Sequence, residues 1–221
     1  MIKFDQVSKR YSTGNEALSQ VSLHLPRGEM AFLTGHSGAG KSTLLKLIAK
    51  LENPSQGAVL IDGKNINRLT KRSVPKLRRQ IGLIFQNPYL LFDRTVYENV
   101  ALPLVIEGFR HQEIKSRVHA ALDKVGLLDK ALVSPETLSC GEQQRISIAR
   151  AIVGKPPIIL ADEPTGNLDP ELSLDIINLF IDFNRIGTTL LIATHDVNLI
   201  KNLPYQNFKL NKGRLTNEAK A

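Results

Sequence analysis

The sequence predicts an α/β protein with a mostly parallel core sheet, an N-terminal antiparallel β-lobe and a helical insertion. Continuous apolar runs at 81–85, 158–161 and 189–193 have the composition of parallel strands that are buried on both faces. Helical patterns separate these runs along the chain, as in an α/β fold. The first thirty residues alternate between apolar and polar side chains instead, which indicates a half-exposed antiparallel sheet.

The order of these patterns predicts how a single domain, residues 1–221, is divided. In the lobe, Asp62-Gly63 marks a hairpin turn after an apolar strand. Apolar residues spaced three and four apart from Ile114 to Val125 predict a helix that stops at Gly126. We therefore predict a β-lobe at 1–30 and 56–75, a core at 31–55, 76–86 and 155–215, and a helical segment at 87–154.

The amino-acid composition limits the classes of protein to which the chain can belong. With 221 residues, 42% of them hydrophobic and 23% charged, the chain resembles a single soluble globular domain. One cysteine, Cys140, excludes an internal disulfide and a four-cysteine zinc site, and fits a reducing, cytosolic compartment. The sequence shows neither a signal peptide nor an apolar run long enough to cross a bilayer, so we expect another chain to hold this one at a membrane. Residues 217–221 are typical of a loose polar tail.

The formal net charge of +8 favours polyanionic partners, which include nucleotides, nucleic acids and an anionic inner leaflet. Charge alone does not choose among them. One modest basic cluster consists of Lys71, Arg72, Lys76, Arg78 and Arg79. A cluster of this size is more often a solvated surface than a binding patch.

A glycine-rich loop gives the strongest functional signal. It has the G-x-x-x-x-G-K-S spacing of a P-loop NTPase and consists of Gly35, His36, Ser37, Gly38, Ala39, Gly40, Lys41 and Ser42. A buried strand is predicted before it, at 30–34, and a helix after it, at 43–51, so that backbone N–H groups and the helix N-terminus surround an anion. Lys41 is expected to neutralise the β- and γ-phosphates of ATP, and the Ser42 hydroxyl to bind Mg²⁺. Thr43, the next residue, is also predicted to bind the nucleotide. The alternative is a glycine-rich turn that binds nothing.

Polar residues at the ends of the core strands supply the remaining chemistry. Asp162 is expected to hold the Mg²⁺, and Glu163 to orient and deprotonate the attacking water. Two acids at a strand end can also be a simple helix cap. Gln86 ends another strand, where its amide can reach both Mg²⁺ and water. His195 follows the last core strand and can donate a hydrogen bond to the γ-phosphate.

These motifs, together with Leu138–Glu142 and 167–169, resemble the ATP-binding cassette (ABC) family over residues 1 to about 215. The resemblance implies that two cassettes face each other head to tail and enclose two ATP molecules. Each ATP would then lie between the phosphate loop of one chain and the signature sequence of the other, where Ser139 and Gly141 meet a phosphate. It also implies roles for Gln86, for Asp169 in the D-loop, for His195 as the switch histidine, and for Tyr11, which either stacks on adenine or is an ordinary packing residue.

Within that family, the chain resembles the ATPases of bacterial cell-division complexes, most clearly at 28–41, 78–86, 121–130 and 193–200. That resemblance implies an integral membrane partner subunit, a peripheral position on the cytoplasmic face of the inner membrane, and control of peptidoglycan hydrolysis at the septum. Division-ring proteins are further candidate partners, and no nucleic acid is expected. In relatives, the surface corresponding to 87–98 receives the partner's cytoplasmic helix, and its apolar side chains could equally belong to the core of the lobe. An alternative function is the ATPase subunit of a lipoprotein or macrolide exporter.

One residue departs from the family pattern, since Cys140 occupies a signature position that is normally glycine. Its side chain either crowds a backbone that prefers positive φ or points away from the nucleotide. Because of this departure, we predict that Cys140→Gly raises ATP turnover at equal ATP, whereas unchanged hydrolysis would show that the cysteine is benign. Gly141, the glycine expected to meet the phosphate, is intact.

Overall fold

A computed structural model describes residues 1–166 and 168–216 of the chain; the predicted polar tail at 217–221 and Asn167 of the D-loop lie outside the described residues. The described part contains ten strands and seven α-helices in α/β order. The strands are β1 Ile2–Arg10, β2 Glu16–Leu25, β3 Met30–Thr34, β4 Gln56–Ile61, β5 Lys64–Asn65, β6 Ile81–Ile84, β7 Ile158–Asp162, β8 Thr189–Thr194, β9 Gln206–Asn211 and β10 Arg214–Thr216. The helices are α1 Lys41–Ile48, α2 Val74–Arg78, α3 Val96–Glu107, α4 His111–Lys124, α5 Cys140–Ile152, α6 Pro170–Arg185 and α7 Val197–Ile200.

The larger sheet has the strand order β10-β9-β3-β8-β7-β6, and only the pairing of β10 with β9 is antiparallel among its described pairs. Its central strands are buried on both sides, and the side chains of alternate residues pack into two different hydrophobic clusters. Phe32 belongs to the cluster under the helical segment, whereas its neighbours Ala31 and Leu33 belong to the cluster shared with the lobe. This explains why the central strands read as continuous apolar runs, and it confirms the predicted fold class.

The smaller sheet is the predicted antiparallel lobe, with the order β2-β1-β4-β5. Ile2 pairs with Leu25 of β2 on one side and with Ile61 of β4 on the other. The hairpin between β4 and β5 turns through Asp62 and Gly63, which have φ values of 49° and 74°. Positive φ at both central residues gives the two-residue turn whose twist matches the strands it joins, as the dipeptide predicted.

The helical segment between β6 and β7 has clear start and stop signals. Helix α3 begins after a reciprocal capping box between Thr95 and Glu98 and ends at Gly108, which has φ 79°. Helix α4 ends at Lys124, and Gly126 follows with φ 64°, which confirms the predicted stop. None of the helices in the described ranges is long and apolar enough to cross a membrane. The exact boundaries of lobe, core and helical segment stay a prediction.

The predicted helix at 43–51 is displaced towards the N-terminus. Helix α1 starts directly after Gly40, so it includes Lys41 and Ser42, and it ends at Ile48. Lys50 has a left-handed backbone with φ 54°, which turns the chain away from the helix before Leu51. The Leu51 side chain is consequently 41% exposed instead of contributing to the apolar helix face.

Candidate functional site

The glycine-rich loop joins the end of β3 to the start of α1, as the sequence predicts. Gly40 caps the helix with φ 108°, a conformation that side chains rarely adopt. A Cβ atom on Gly40 would lie 2.5 Å from the Ala17 carbonyl oxygen and 2.9 Å from Leu18 Cδ2. Gly40 is therefore needed both for its backbone conformation and for close approach of the lobe strand β2 to the loop.

Lys41 places its ammonium group inside this loop, where its side chain is only 7% exposed. Its Nζ donates hydrogen bonds to the carbonyl oxygens of Gly35, at 2.7 Å, and His36, at 3.4 Å. The same nitrogen lies 3.2 Å from Glu163 Oε1. The loop thus holds a buried cation where the sequence predicted binding of the β- and γ-phosphates.

Glu163 connects the loop to His195. Its Oε2 accepts hydrogen bonds from His195 Nδ1 at 2.8 Å and from the His195 backbone N–H at 3.1 Å. The Glu163 backbone has φ 49°, although it is not a glycine, and is fixed by a hydrogen bond of 2.9 Å from its N–H to the Ala193 carbonyl. Backbone strain of this kind concentrates at functional sites, where the surrounding structure holds the residue in place.

Asp162 ends β7 beside Ser42. Burial raises the pKa of the Asp162 carboxyl, and the negative charge of Glu163 adds to the shift, whereas a hydrogen bond from the Ser42 hydroxyl opposes it. The Asp162 Oδ1 atom is buried and has no hydrogen-bond partner among the described residues. A buried carboxylate oxygen without a donor, next to a serine hydroxyl, fits a bound divalent cation. Ser42, Asp162 and Gln86 are therefore the residues that could hold Mg²⁺.

A cleft of about 770 Å³ brings most of the predicted nucleotide-binding residues together. Its lining includes Tyr11, Gln86, Glu163 and His195, together with His36, Ser37, Gly38, Ala39, Gly40, Lys41, Ser42 and Thr43. The Tyr11 hydroxyl lies 3.3 Å from Thr43 Oγ1, and Lys9 Nζ lies 4.9 Å from the centre of the Tyr11 ring. Tyr11 thus faces the cleft, although one face of its ring is already in contact with a cation.

The cleft also contains residues that sequence reasoning missed. Asn15, Glu16 and Ala17, from the start of β2, and Lys212 and Gly213, from the turn between β9 and β10, complete its lining. These residues carry no motif. They reach the cleft because β2 and the C-terminal hairpin converge on the loop, as shown by the hydrogen bond of 3.0 Å from the Gly213 N–H to the Ala39 carbonyl.

Gly35 and Asp162 are not among the described residues that line this cleft, but they contact Lys41 and Ser42 of its lining. Three further predicted residues, Ser139, Gly141 and Asp169, are also absent from that lining. They lie together elsewhere, because Gly141 in α5 packs closely against residues at the start of α6. A Cβ atom on Gly141 would lie 3.2 Å from Leu168 Cδ2. Asp169 caps α6 by accepting a hydrogen bond of 2.9 Å from the Leu172 N–H. The structure therefore divides the predicted site residues into two separate groups.

Ser139 is the N-cap of α5, as expected, and forms a capping box with Glu142. The Glu142 carboxylate accepts hydrogen bonds from the Ser139 N–H at 2.9 Å and from the Ser139 hydroxyl at 2.8 Å. Lys130 pairs with the other carboxylate oxygen. The Lys130 hydrogen bond and the Ser139 bonds lower the pKa of Glu142 to about 2, so the group is a carboxylate at neutral pH.

Cys140 is the first helical residue of α5, and its side chain is exposed. The expectation that it crowds a backbone requiring positive φ is therefore wrong, because a helical backbone accepts any residue with a Cβ atom at this position. The other alternative, that the side chain points away from the nucleotide, stays a prediction; the exposed thiol is compatible with it.

Comparison with known proteins identifies the family. The ABC transporter family model matches residues 18–166, more than half of the chain. The chain belongs to the ABC transporter family. It is 60% identical over 215 residues to the cell division ATP-binding protein FtsE of Escherichia coli K12, with 97% of each chain covered. It is 56% identical over 216 residues to FtsE of Haemophilus influenzae, with 97% of this chain and 99% of that protein covered.

Among solved ABC structures, the dimeric post-hydrolysis state of the cassette MJ0796 bound to ADP and Pi has a TM-score of 0.93 and 36% identity, covering 100% of this chain and 98% of that chain. These matches confirm the family resemblance and an ATP-binding cassette fold, and they indicate ATP hydrolysis. They do not favour the exporter alternative, since the relatives carry a cell-division name.

Proposed function

We propose that this chain is the ATP-binding and ATP-hydrolysing subunit of an ABC-type membrane complex in bacterial cell division, where it drives an FtsX-like membrane partner that regulates peptidoglycan hydrolysis at the septum. The single observation that best supports ATP hydrolysis is the position of the Glu163 carboxylate in the cleft. It lies 3.2 Å from Lys41 Nζ and 2.8 Å from His195 Nδ1. The biological role rests on near full-length similarity to the FtsE proteins.

In the proposed reaction, the loop binds the phosphates through its backbone N–H groups and through Lys41, whose ammonium turns from carbonyl oxygens to phosphate oxygens. Glu163 then loses its lysine partner and becomes free to accept a proton from the attacking water. His195 Nδ1 donates to Glu163 and fixes the direction of its carboxylate. Such positioning accounts for much of the catalysis of phosphoryl transfer.

Ser42, Asp162 and Gln86 are the proposed Mg²⁺ ligands. The metal would neutralise charge on the β- and γ-phosphates. The raised pKa of Asp162 and its unpaired Oδ1 show a carboxylate that gains from a cationic neighbour, which supports this assignment.

The two separate groups of site residues support a composite site made by two copies of the chain. Ser139 and Gly141 stand at the N-terminus of α5, where backbone N–H groups favour an anion, yet they do not face the cleft of their own chain. In a head-to-tail dimer they would meet the γ-phosphate bound by the partner copy, with Asp169 at the same interface. A related cassette was solved as a dimer bound to ADP and Pi.

The membrane partner is proposed to dock beside Gln86. The following segment exposes large apolar side chains, with Tyr89 at 64%, Phe92 at 49% and Leu91 at 37% exposure. Exposed apolar side chains close together mark protein contacts. Docking here would place the chain on the cytoplasmic face of the inner membrane through its partner, where division-ring proteins are also proposed to contact it.

Isolation of the chain from its native membrane with an affinity tag, followed by identification of the co-purifying integral subunit and ATPase assay of the complex, tests this function. We expect an FtsX-like subunit and Mg²⁺-dependent ATP hydrolysis. Recovery of an exporter subunit, with hydrolysis stimulated by a lipoprotein or macrolide, would instead establish the alternative.

A further inference from the structure

One stretch of the chain carries almost all of its net charge. Between Asp62 and Asp93 there is no acidic residue, whereas seven of the 29 basic residues lie there; the formal net charge of the whole chain is +8. The seven are Lys64, Arg68, Lys71, Arg72, Lys76, Arg78 and Arg79, and we call them the basic strip. The rest of the chain is consequently close to neutral.

All seven side chains of the basic strip are exposed, and none forms an ion pair within 1–166 and 168–216. Among the described residues, Arg78 is the one member whose side chain donates hydrogen bonds to the protein, to the carbonyl oxygens of Ala49 at 3.3 Å and Lys50 at 3.0 Å. By contrast, six basic side chains elsewhere in the described part of the chain, such as Arg27 and Arg117, pair with carboxylates at least partly exposed to solvent. The charges of the strip therefore have no ion-pair partner among the described residues and remain available to an anionic partner.

The strip borders the surface assigned above to the membrane partner. Arg78 and Arg79 line a groove of about 370 Å³, whose lining also includes Pro103, Ile106 and Glu107 of α3. Arg150, on the same groove, donates hydrogen bonds to the carbonyl oxygens of Pro88 and Tyr89 in the segment after Gln86. The groove thus connects the C-terminal end of the basic strip, at Arg78 and Arg79, with the segment after Gln86 through Arg150.

We propose that the basic strip binds the anionic headgroups of the membrane surface, so that the chain touches the lipid directly as well as through its partner subunit. That the strip faces the membrane rests on the proposed function; the affinity for anionic lipid rests on the strip itself. Clusters of four to eight exposed Lys and Arg residues bind anionic leaflets without a shaped pocket, because the attraction adds up over separate headgroups.

Two observations favour lipid over nucleic acid. Single-stranded nucleic acids are bound where aromatic side chains stack on bases between the cations. No aromatic residue occurs between Asp62 and Phe85, the stretch that contains the whole strip. The strip also has no helix long enough to enter a groove of a duplex, since α2 spans only Val74–Arg78.

Flotation of the purified full chain with lipid vesicles tests the proposal without the membrane partner. We expect the chain to float with vesicles containing 30% phosphatidylglycerol, to stay behind with pure phosphatidylcholine vesicles, and to be released by about 0.5 M salt, which screens the attraction. The test variant combines Lys71→Gln, Arg72→Gln and Lys76→Gln. None of these side chains lines the cleft or forms a hydrogen bond or ion pair within 1–166 and 168–216.

The matched control removes the same number of charges elsewhere, with Lys3→Gln, Lys115→Gln and Lys201→Gln at exposed positions. Loss of three headgroup contacts should weaken vesicle partitioning of the test variant by about tenfold or more, while the control partitions within about twofold of wild type. Equal losses in both variants, or flotation of the test variant like wild type, would overturn the proposal. So would retention of wild type by an RNA oligonucleotide but not by phosphatidylglycerol vesicles.

ATP hydrolysis by the same three proteins separates this proposal from the proposed function. Both triple variants should hydrolyse ATP at the wild-type rate, since the substituted residues lie outside the cleft. If the wild-type chain binds lipid but does not hydrolyse ATP, the enzyme assignment is overturned and the basic strip remains a lipid-binding surface. ATPase activity without lipid binding would overturn the lipid proposal and leave the enzyme assignment intact.

Discussion

Glu163, whose side chain is only 11% exposed, combines three properties in one residue. Its backbone is left-handed, its carboxylate accepts from a histidine, and a buried lysine lies 3.2 Å from its other oxygen. The two side-chain contacts orient the carboxylate, and both partners line the same cleft. The residue is therefore held ready for proton transfer by groups that can change partners when phosphates bind.

Glu163→Gln keeps the shape of the side chain but removes the proton acceptor. We expect ATP binding to be retained and the hydrolysis rate to fall by at least about 100-fold, the usual contribution of a general base. Steady-state phosphate release and equilibrium binding of labelled ATP, measured on the same preparation, check both halves. Hydrolysis near the wild-type rate would remove Glu163 from the mechanism.

Glu142 makes the stability of the signature helix dependent on pH. Its pKa in the folded chain is about 2, below the ordinary value of 4.5, so its bonds to Lys130 and Ser139 stabilise the fold above about pH 4.5 and are lost as the pH falls towards 2. We expect the free energy of unfolding of Glu142→Gln to lie about 1 kcal/mol below wild type at pH 7. Denaturant unfolding at several pH values should show this difference shrinking below pH 4.5.

The chain offers a matched control for this prediction in Glu98, which forms the same capping box with Thr95 but has no lysine partner. The pKa of Glu98 is lowered chiefly by the backbone N–H of Thr95. Glu98→Gln should therefore lose less stability at pH 7 than Glu142→Gln. Equal losses would show that the Lys130 ion pair contributes nothing.

Cys140 is a case in which the structure reverses an expectation. Because its backbone is helical and its side chain exposed, glycine would relieve no strain there. We expect Cys140→Gly to change steady-state ATP turnover by less than about twofold, since substitutions at exposed positions without special contacts have small effects. A severalfold rise in turnover would show that the thiol hinders the closed dimer.

At the scale of elements, the phosphate loop depends on strands that are distant in sequence. The Gly40 position lies against Ala17 and Leu18 of β2, and the C-terminal hairpin is bonded to the loop through Gly213 and Ala39. The loop is thus fixed from two sides by the lobe and by the edge of the core sheet.

Gly40→Ala should disrupt this packing, because the new methyl group would lie 2.5 Å from a backbone oxygen in a left-handed conformation. We expect a loss of about 2 kcal/mol or more in the free energy of unfolding, together with loss of ATP binding. Gly14→Ala is the control, since Gly14 also has a positive φ, 86°, but no atom lies within 4 Å of the added Cβ. Chemical denaturation should show only about 1 kcal/mol for Gly14→Ala; a similar loss in both would refute the packing argument.

The elements that could be predicted from the sequence are those specified by residues close together along the chain. The central strands, the Asp62-Gly63 turn and the stop of α4 depend on neighbouring residues, and all three agree with the structure. Strands β9 and β10 were not predicted, because Gln206–Asn211 contains only one buried residue, Leu210, and no apolar run. Their contribution to the cleft through Lys212 and Gly213 depends on sheet order, which pairs distant segments and leaves no local signature.

At the scale of the whole molecule, the cleft and the signature group occupy different places on one chain. The proposed composite site predicts that two inactive variants can repair each other. Glu163→Gln damages only the cleft, and Ser139→Ala only the signature end, so every site in either homodimer has one defective half. A mixed dimer contains one site with both halves intact.

Mixing the two variants in equal amounts should therefore restore ATP hydrolysis to roughly a quarter of the wild-type rate, because half of randomly assorted dimers are mixed and one of their two sites works. Phosphate release measured before and after mixing gives the answer, and a double variant carrying both substitutions in one chain, mixed with either single variant, serves as control. If mixing restores nothing while both variants remain folded, the site does not extend across two chains.

The bonds of Lys41 within its own chain bear on how spent nucleotide departs. Its ammonium has two carbonyl oxygens and one carboxylate within reach, so it does not need a ligand to satisfy its charge. A departing ADP consequently leaves no unpaired buried cation behind, and the energetic penalty that would otherwise hold the product in place is avoided. The cassette is in this respect constructed for turnover more than for tight storage of nucleotide.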